Sequence, residues 1–432
     1  MAELLDTRPP AERAFLLHVL EGEENRTQGE SLLSELEHLA TTAGLEVTGR
    51  HVFSLHRMIP ATCIGKGQVE ILATKLEELA IQVLVVNRPL SPVQQRNLER
   101  HLQVKVVDRT GIILEIFAAR AKTREGSLQV ELASLMYQQS RLVRSWTHLE
   151  RQRGGVGLRG GPGEKQIELD RRMIREKIVK LEKLLVGVNR TRSLHRASRE
   201  AVPFFTVALV GYTNTGKSTL FNRLANAQVE AEDKLFATLD PTMRAIRLPG
   251  GGRAILSDTV GFIRQLPHAL VAAFRATLEE VREADLLLHV VDIADPEWEV
   301  QVAAVEEVLQ ELEAHHKPTL TLYNKIDLLD PNTAVLERVL QAENTLAISA
   351  RNGQGLDKLL EIIAAREVER MDIWHLRVPV TDGRFLAQLQ RQGRVLQQEE
   401  EGEFLLLKVA MSTASHGELR QLLLDYALPS PQ

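Results

Sequence analysis

Apolar and polar positions change their period several times along the chain, and each change marks a new element. Up to residue 125, the short apolar runs "AFLLHVL" (14–20), "IQVLVV" (81–86) and "VKVVD" (104–108) read as buried strands. Between them, "ESLLSELEHLATTAG" (30–44) and "GQVEILATKLEELA" (67–80) place apolar residues every three or four positions, as a helix with one buried face does. Strands alternating with helices predict a parallel sheet in a small α/β domain, residues 1–125. The rhythm then becomes heptad. Leu128, Leu132, Leu135, Gln139, Leu142, Trp146 and Leu149 step by four and three, and Ile167, Arg171, Ile174, Ile178, Leu181, Leu185 and Val188 repeat it after a break. Two such seams can zip into an antiparallel helical hairpin over 126–200, with the break at its tip. From Pro203 a strand-then-helix pattern returns in "FFTVALVGYTNTGKSTLFNRL" (204–224), opening a second α/β domain over 203–370. Residues 371–432 read as a small βαββα unit, with "QQEEEGE" (397–403) as a solvated turn.

Composition and charge change this picture in three ways. A chain of 432 residues, 44% hydrophobic and 26% charged, is globular and too long for a single ordinary core. The lone Cys63 excludes an internal disulfide framework and suits a reducing compartment. The start "MAELLDTRPP" lacks a signal pattern, and no run approaches the roughly 18 apolar residues of a spanning helix, so a cytoplasmic protein with no transmembrane segment is expected. The net charge of −5 is unevenly spread: residues 141–200 carry 16 Lys or Arg against 7 Asp or Glu. That asymmetry points to a polyanion met by one region, the alternative being an ordinary solvated helical face.

The break between the seams, "RQRGGVGLRGGPGEKQ" (151–166), concentrates that charge. Six glycines allow the backbone close approach to a crowded surface, and Arg151, Arg153, Arg159 and Lys165 can contact RNA phosphates. Its only aliphatic side chains are Val156 and Leu158, which suits a hydrophobic protein groove poorly; the other reading is a linker. "GKG" (65–67) opens a helix whose amides could hold a phosphate, or could simply start the helix.

The second α/β domain carries the chemistry. Gly211, Tyr212, Thr213, Asn214, Thr215, Gly216, Lys217 and Ser218 form a Gly-x-x-x-x-Gly-Lys-Ser loop between a strand and a helix. Its amides can wrap a β-phosphate, Lys217 can reach the β and γ oxygens, and the Ser218 hydroxyl can serve Mg²⁺. In "AILSDTVG" (254–261), Asp258 is placed to hold Mg²⁺ through water, with Thr259, Val260 and Gly261 following; the Gly261 amide can meet the γ-phosphate. In "PTLTLYNKID" (318–327), Asp327 can accept from the N1–H and exocyclic amine of guanine, a pair adenine does not offer. Asn324 can bond the base edge, the Lys325 stem can cover the ring, and Ile326 completes the motif. "LAISARNGQG" (346–355) brings Ser349, Ala350 and Arg351, whose backbone can reach guanine O6. "KLFATLDPT" (234–242) stands where a first switch loop belongs, with Phe236, Ala237, Thr238, Leu239 and Asp240 beside the nucleotide. Thr238, or else Thr242, supplies a second hydroxyl to Mg²⁺. Lys217, Thr238 and Gly261 are the expected catalytic contacts. Together the elements predict an α/β chain: a P-loop GTPase domain with a mostly parallel sheet flanked by helices, an N-terminal α/β domain carrying the hairpin, and a small C-terminal α+β domain.

On these motifs the sequence resembles the HflX family, translation-factor-related GTPases that bind the large ribosomal subunit. The likeness spans almost the whole chain and is carried by "IGKGQVEIL" (64–72), "GGVGLRGGPGEKQIELDRR" (154–172), "GYTNTGKSTLFN" (211–222), "LFATLDPT" (235–242) and "DTVGFI" (258–263). The resemblance implies GTP-dependent ribosome binding and separation of the subunits of stalled or idle ribosomes. It also implies an arm whose loop approaches the peptidyl-transferase region of ribosomal RNA. The implied partners are GTP and GDP and the large subunit with its RNA, not DNA, and the free chain is expected to be a monomer. Lys165 departs from the family loop, which commonly carries threonine there, and adds a positive charge.

Many regulatory GTPases place glutamine after Asp-x-x-Gly to orient the attacking water. Here that position is Phe262, so hydrolysis is expected to be slow alone and faster on the large subunit. Asn214 offers two readings: a ligand for K⁺ beside the phosphates, or a brace of the loop. Two other functions compete with ribosome splitting: a GTP-sensing switch gripping a protein partner, and an RNA-remodelling NTPase with a second nucleotide site in the N-terminal domain.

Overall fold

The structure is a computed structural model that describes residues 11–22, 25–152, 169, 171–188, 204–226, 235–239, 242–265, 270, 278–329, 334–411 and 416–428. The chain separates into two compact units, Met1–Gly187 with Asp233–Asp240 and Gln265–Arg275, and the remainder.

The first unit is built on a four-stranded sheet in the order β2-β1-β3-β4: β1 (Arg13–Glu21), β2 (Glu46–Leu55), β3 (Val83–Val86) and β4 (Lys105–Asp108). Every pairing is parallel, which requires the crossover helices α1 (Arg26–Thr42), α2 (Lys66–Glu78) and α3 (Pro92–Leu102). Those helices cover both faces, so β1 and β3 are apolar and buried along their lengths. Strand β2 escapes the apolar-run criterion because it is an edge strand, largely half-exposed, with a sequence, EVTGRHVFSL, to match. "GKG" acts as a helix entry: the Gly65 amide donates to Gln68 Oε1 at 2.9 Å.

Helix α4 (Arg109–Arg120) is buried around much of its circumference, including Ile112, Ile113, Leu114, Ile116 and Phe117. The Phe236 ring meets Phe117 edge-on at 4.7 Å, both within the first unit. The described part of the heptad seams packs, while Leu142, Trp146, Leu149 and Ile167 lie outside the described side chains. In α5 (Arg124–Gln152) and the helix α6 (171–188), Leu132, Leu135, Ile178, Leu181 and Leu185 share one buried cluster, joined by Leu128, Met136 and Ile174. Asp108 bonds the root of this arm to the sheet. Its carboxylate accepts from the Leu90 amide (3.0 Å), the Gly111 amide (2.9 Å) and the Tyr137 hydroxyl (2.6 Å), and pairs with Arg141. Arg153, Arg159 and Lys165, and the side chain of Arg151, lie outside the described residues.

The second unit holds a six-stranded sheet in the order β10-β9-β8-β5-β7-β6. Its strands are β5 (Phe205–Gly211), β6 (Thr242–Arg247), β7 (Arg253–Asp258), β8 (Leu286–Asp292), β9 (Thr319–Asn324) and β10 (Thr345–Ala347). All pairings are parallel except the β6–β7 hairpin. The same unit ends in an antiparallel sheet β11 (Asp372–Pro379), β13 (Phe404–Met411) and β12 (Gly393–Glu401), in the order β11-β13-β12. Helix Gly383–Gln392 falls between β11 and β12, and helix His416–Tyr426 follows β13, so the βαββα order stands. The acidic run 397–403 is not all turn: Gln397–Glu401 form the exposed half of edge strand β12, and the turn is confined to Gly402 and Glu403. Exposed glutamates on a sheet margin discourage pairing with another edge.

This sheet is fastened to the β6–β7 hairpin through a part-buried ion pair. Arg394 lies 3.2 Å from Glu367, whose other carboxylate oxygen accepts from the Arg253 amide, and Arg394 also donates to the Pro249 carbonyl. A Cβ on Gly252 would lie 2.2 Å from Glu367 Oε2. Gly252→Ala is therefore expected to displace the carboxylate from Arg394 and cost about 1–3 kcal/mol of stability, read as a lowered thermal midpoint. An unchanged midpoint would mean the carboxylate yields freely.

Candidate functional site

The site grows from the end of β5. The chain leaves this buried strand at Gly211, wraps through Asn214 in the left-handed region (φ 61°), and enters helix α7 (Lys217–Ala225) through Gly216. Turned inward at the helix start, Lys217 donates from Nζ to the Gly211 carbonyl (3.1 Å) and the Tyr212 carbonyl (2.5 Å). Thr215 Oγ1 donates to the Tyr212 carbonyl at 3.0 Å, closing the loop on itself. What remains is a ring of amides at a helix N-terminus with a buried ammonium inside, an arrangement suited to phosphate. The Thr213 hydroxyl, buried in this ring, has no partner among the described residues.

The end of β7 supplies the opposite wall. Fully buried, Asp258 accepts from the Ser218 hydroxyl at 2.8 Å. Thr259 donates to the Leu209 carbonyl (2.6 Å) and so sets the turn. Phe262 joins the loop backbone as a short bridge: its amide donates to the Gly211 carbonyl (3.0 Å), and its carbonyl accepts from the Thr213 amide (2.8 Å). The Phe262 side chain is 1% exposed and thus packs inward. Gly261 lies against Lys217: a Cβ there would sit 3.0 Å from Nζ.

Asn324 staples the base-side motifs to this loop. Its Nδ2 donates to the Thr215 carbonyl (2.7 Å) and its Oδ1 accepts from the Ala350 amide (2.9 Å). A Cβ on Gly216, already at φ 94°, would lie 2.4 Å from that Nδ2, so only glycine admits the staple. Ser349 donates its hydroxyl to Asp327 Oδ1 at 2.6 Å, and Arg351 offers its carbonyl to Arg223. Lys325 holds an αL backbone (φ 65°) and pairs with Asp292 at 2.7 Å, while Ile326 begins a short 3₁₀ turn.

The structure thus gathers Gly211 to Ser218, Asp258 to Gly261, Asn324 to Asp327 and Ser349 to Arg351 in one unit. Phe236, Ala237, Thr238 and Leu239 fall in the other unit, with Thr238 buried; Asp240 lies outside the described residues. Thr242 heads β6 and pairs in register with Asp258. Three further residues enter the site from the structure: Asp292, Arg264 and His289. The Arg264 amide donates to the Tyr212 hydroxyl (2.8 Å), and its guanidinium meets Glu297 at 2.9 Å. Asp292 had one signal in the sequence, a carboxylate closing an apolar strand.

Burial pushes the Lys217 ammonium down to about 8, against the opposing pull of Asp258. A bound triphosphate restores its affinity for the proton. GTP affinity is therefore expected to be level below about pH 8 and to fall above it, with proton uptake on binding. Titration calorimetry near pH 8.5, in two buffers of different ionisation heat, reads that uptake; none would show Lys217 already charged. His289, in β8, is held down at about 4 by burial, with Lys217 adding repulsion. Its folded value lies below the ordinary 6.5, so its contribution to stability is present above that pH and is lost as pH falls toward 4.

Comparison with known proteins agrees with the geometry. Residues 206–325 match the family model described as 50S ribosome-binding GTPase, residues 30–118 match GTP-binding GTPase N-terminal, and residues 120–199 match GTP-binding GTPase Middle Region. The GTPase HflX of Magnetococcus marinus is 60% identical over 417 residues, covering 96% of both chains. That of Escherichia coli K12 is 45% identical over 382 residues, covering 88% of this chain and 89% of the relative. A GTP-binding protein from the archaeon Sulfolobus solfataricus, solved with GDP, shares 24% identity with a TM-score of 0.44, covering 83% of this chain and 99% of its own.

Proposed function

We propose, from the premise that the chain belongs to the HflX family of GTPases, that GTP controls its grip on the large ribosomal subunit and that this grip separates or rescues stalled and idle ribosomes. GTP hydrolysis is the chemical step, and release follows it. The observation that carries the ribosomal reading is the charge of the sequence: 16 basic against 7 acidic residues over 141–200, with the glycine-rich break between the two heptad seams. The arm root is tied to the sheet of the first unit through Asp108, Tyr137 and Arg141.

At the nucleotide, the loop amides and Lys217 hold the phosphates, and Asp327 with Ser349 reads the guanine edge. Ser218 would hold Mg²⁺, with Asp258 acting through water; the Ser218–Asp258 pair of oxygen donors suits a hard cation. Bound there, Mg²⁺ would supply charge neutralisation to the phosphates. Gly261 presents its amide beside Lys217, where charge gathers on the γ-phosphate. Phe262 contributes no hydrogen bond to water from its side chain, so the free chain turns over slowly and the large subunit speeds it. Asn214 stands at the loop's outer lip, exposed, as a ligand for K⁺; equal hydrolysis in sodium and potassium buffers would remove that role.

Gradient sedimentation with purified ribosomes, with and without a non-hydrolysable GTP analogue, tests the reading. Free subunits should accumulate with the analogue, and binding should weaken steeply with salt, about tenfold or more between 50 and 200 mM if several phosphates are met. Undisturbed ribosomes with salt-insensitive binding would overturn it in favour of a protein partner.

A further inference from the structure

We propose that Asp292 is a positioning residue for guanine recognition, acting through the side chain of Lys325. The base-covering lysine of an Asn-Lys-x-Asp motif works through its stem, which must lie flat against the purine. A free lysine stem samples many rotamers, and holding it costs about 2 kcal/mol of entropy. In this chain the far end of the stem is tied down. Lys325 Nζ lies 2.7 Å from Asp292 Oδ2, and the pair is partly shielded, with side-chain exposures of 26% and 15%.

The carboxylate is itself fixed before the lysine meets it. Asp292 closes β8 in register with Asn324 of β9, so both side chains are set by the sheet. Its other oxygen, Oδ1, accepts from the Ala294 amide at 3.1 Å, and the Ile293 amide bonds the Asn324 carbonyl. Asn324 is in turn stapled to the phosphate loop and to Ala350. At the near end, the αL backbone of Lys325 fixes where the stem begins. A chain of short bonds therefore runs from the sheet through Asp292 to the wall of the base site. The plain alternative is an ion pair that only closes two strand ends.

Dissociation of a fluorescent GDP analogue from the full chain separates the two. Asp292→Ala is expected to speed release about fivefold, the factor that corresponds to a part-shielded ion pair worth about 1 kcal/mol. Asp292→Asn keeps the bond from Ala294 and a neutral bond to the ammonium, and should give about half that loss on a logarithmic scale. In a Lys325→Met background, which keeps an apolar stem without the charge, Asp292→Ala should add no further loss. The same factor in both backgrounds would overturn the proposal, as would unchanged GDP release from either folded Asp292 variant.

Discussion

Lys217→Ala is expected to lower single-turnover GTP hydrolysis by about 10²–10³-fold, an effect of the size seen when one preorganised charge donor is removed from a reacting phosphate or oxyanion. Three features make the effect large. Lys217 is 6% exposed, so the field of its ammonium acts across little water. Its place is already set by two loop carbonyls, so no reorganisation is needed when charge develops. The neighbouring Phe262 offers no side-chain polar group to share the load. Rapid-quench measurement at saturating GTP separates the rate from weakened binding, and hydrolysis within a few-fold of the parent would refute the assignment. The loop should keep its shape in the variant, because Thr215 still bonds the Tyr212 carbonyl and Asn324 still holds Thr215.

Asp327→Asn should exchange the base that is read. In the proposed site the carboxylate can accept two hydrogen bonds from guanine, whereas an amide turns one of those acceptors into a donor facing N–H. A site built to pair with a given edge rejects the unmatched one by roughly 10²–10⁴-fold, because buried polar groups are left unpaired. Xanthine has a carbonyl where guanine has the exocyclic amine and restores the match. Competition between GDP and its xanthine analogue should therefore invert in the variant. Ser349 sharpens the effect: its hydroxyl donates to Asp327 Oδ1 at 2.6 Å and holds the carboxylate's orientation. Retained GDP preference in the variant would place base recognition elsewhere.

Much of this site was legible in the sequence because its chemistry is local. A phosphate loop must join a strand to a helix within eight residues, and Gly211 to Ser218 stand in that order between β5 and α7. The heptad seams were legible for the same reason: one helix face repeats every seven residues, and Leu128 to Leu135 meet Ile174 to Leu185. Edge strand β2 and the acidic half of β12 were not, since edge strands are half-exposed and lose the apolar run that marks a buried one.

Longer-range relations have no such local imprint. The sequence by itself determined the buried strands and the amphipathic helices, the order of the nucleotide motifs, the guanine preference and the basic break between the seams, because each depends on residue types at short, set spacings. Tertiary structure alone decided that Asn324 touches Thr215, that Asp292 holds Lys325, that Phe236 packs on Phe117, and that Arg394 grips Glu367 beside Gly252. Those partners are brought together by strand order and burial. Nothing in the periodicity of either segment states which distant side chain will meet it.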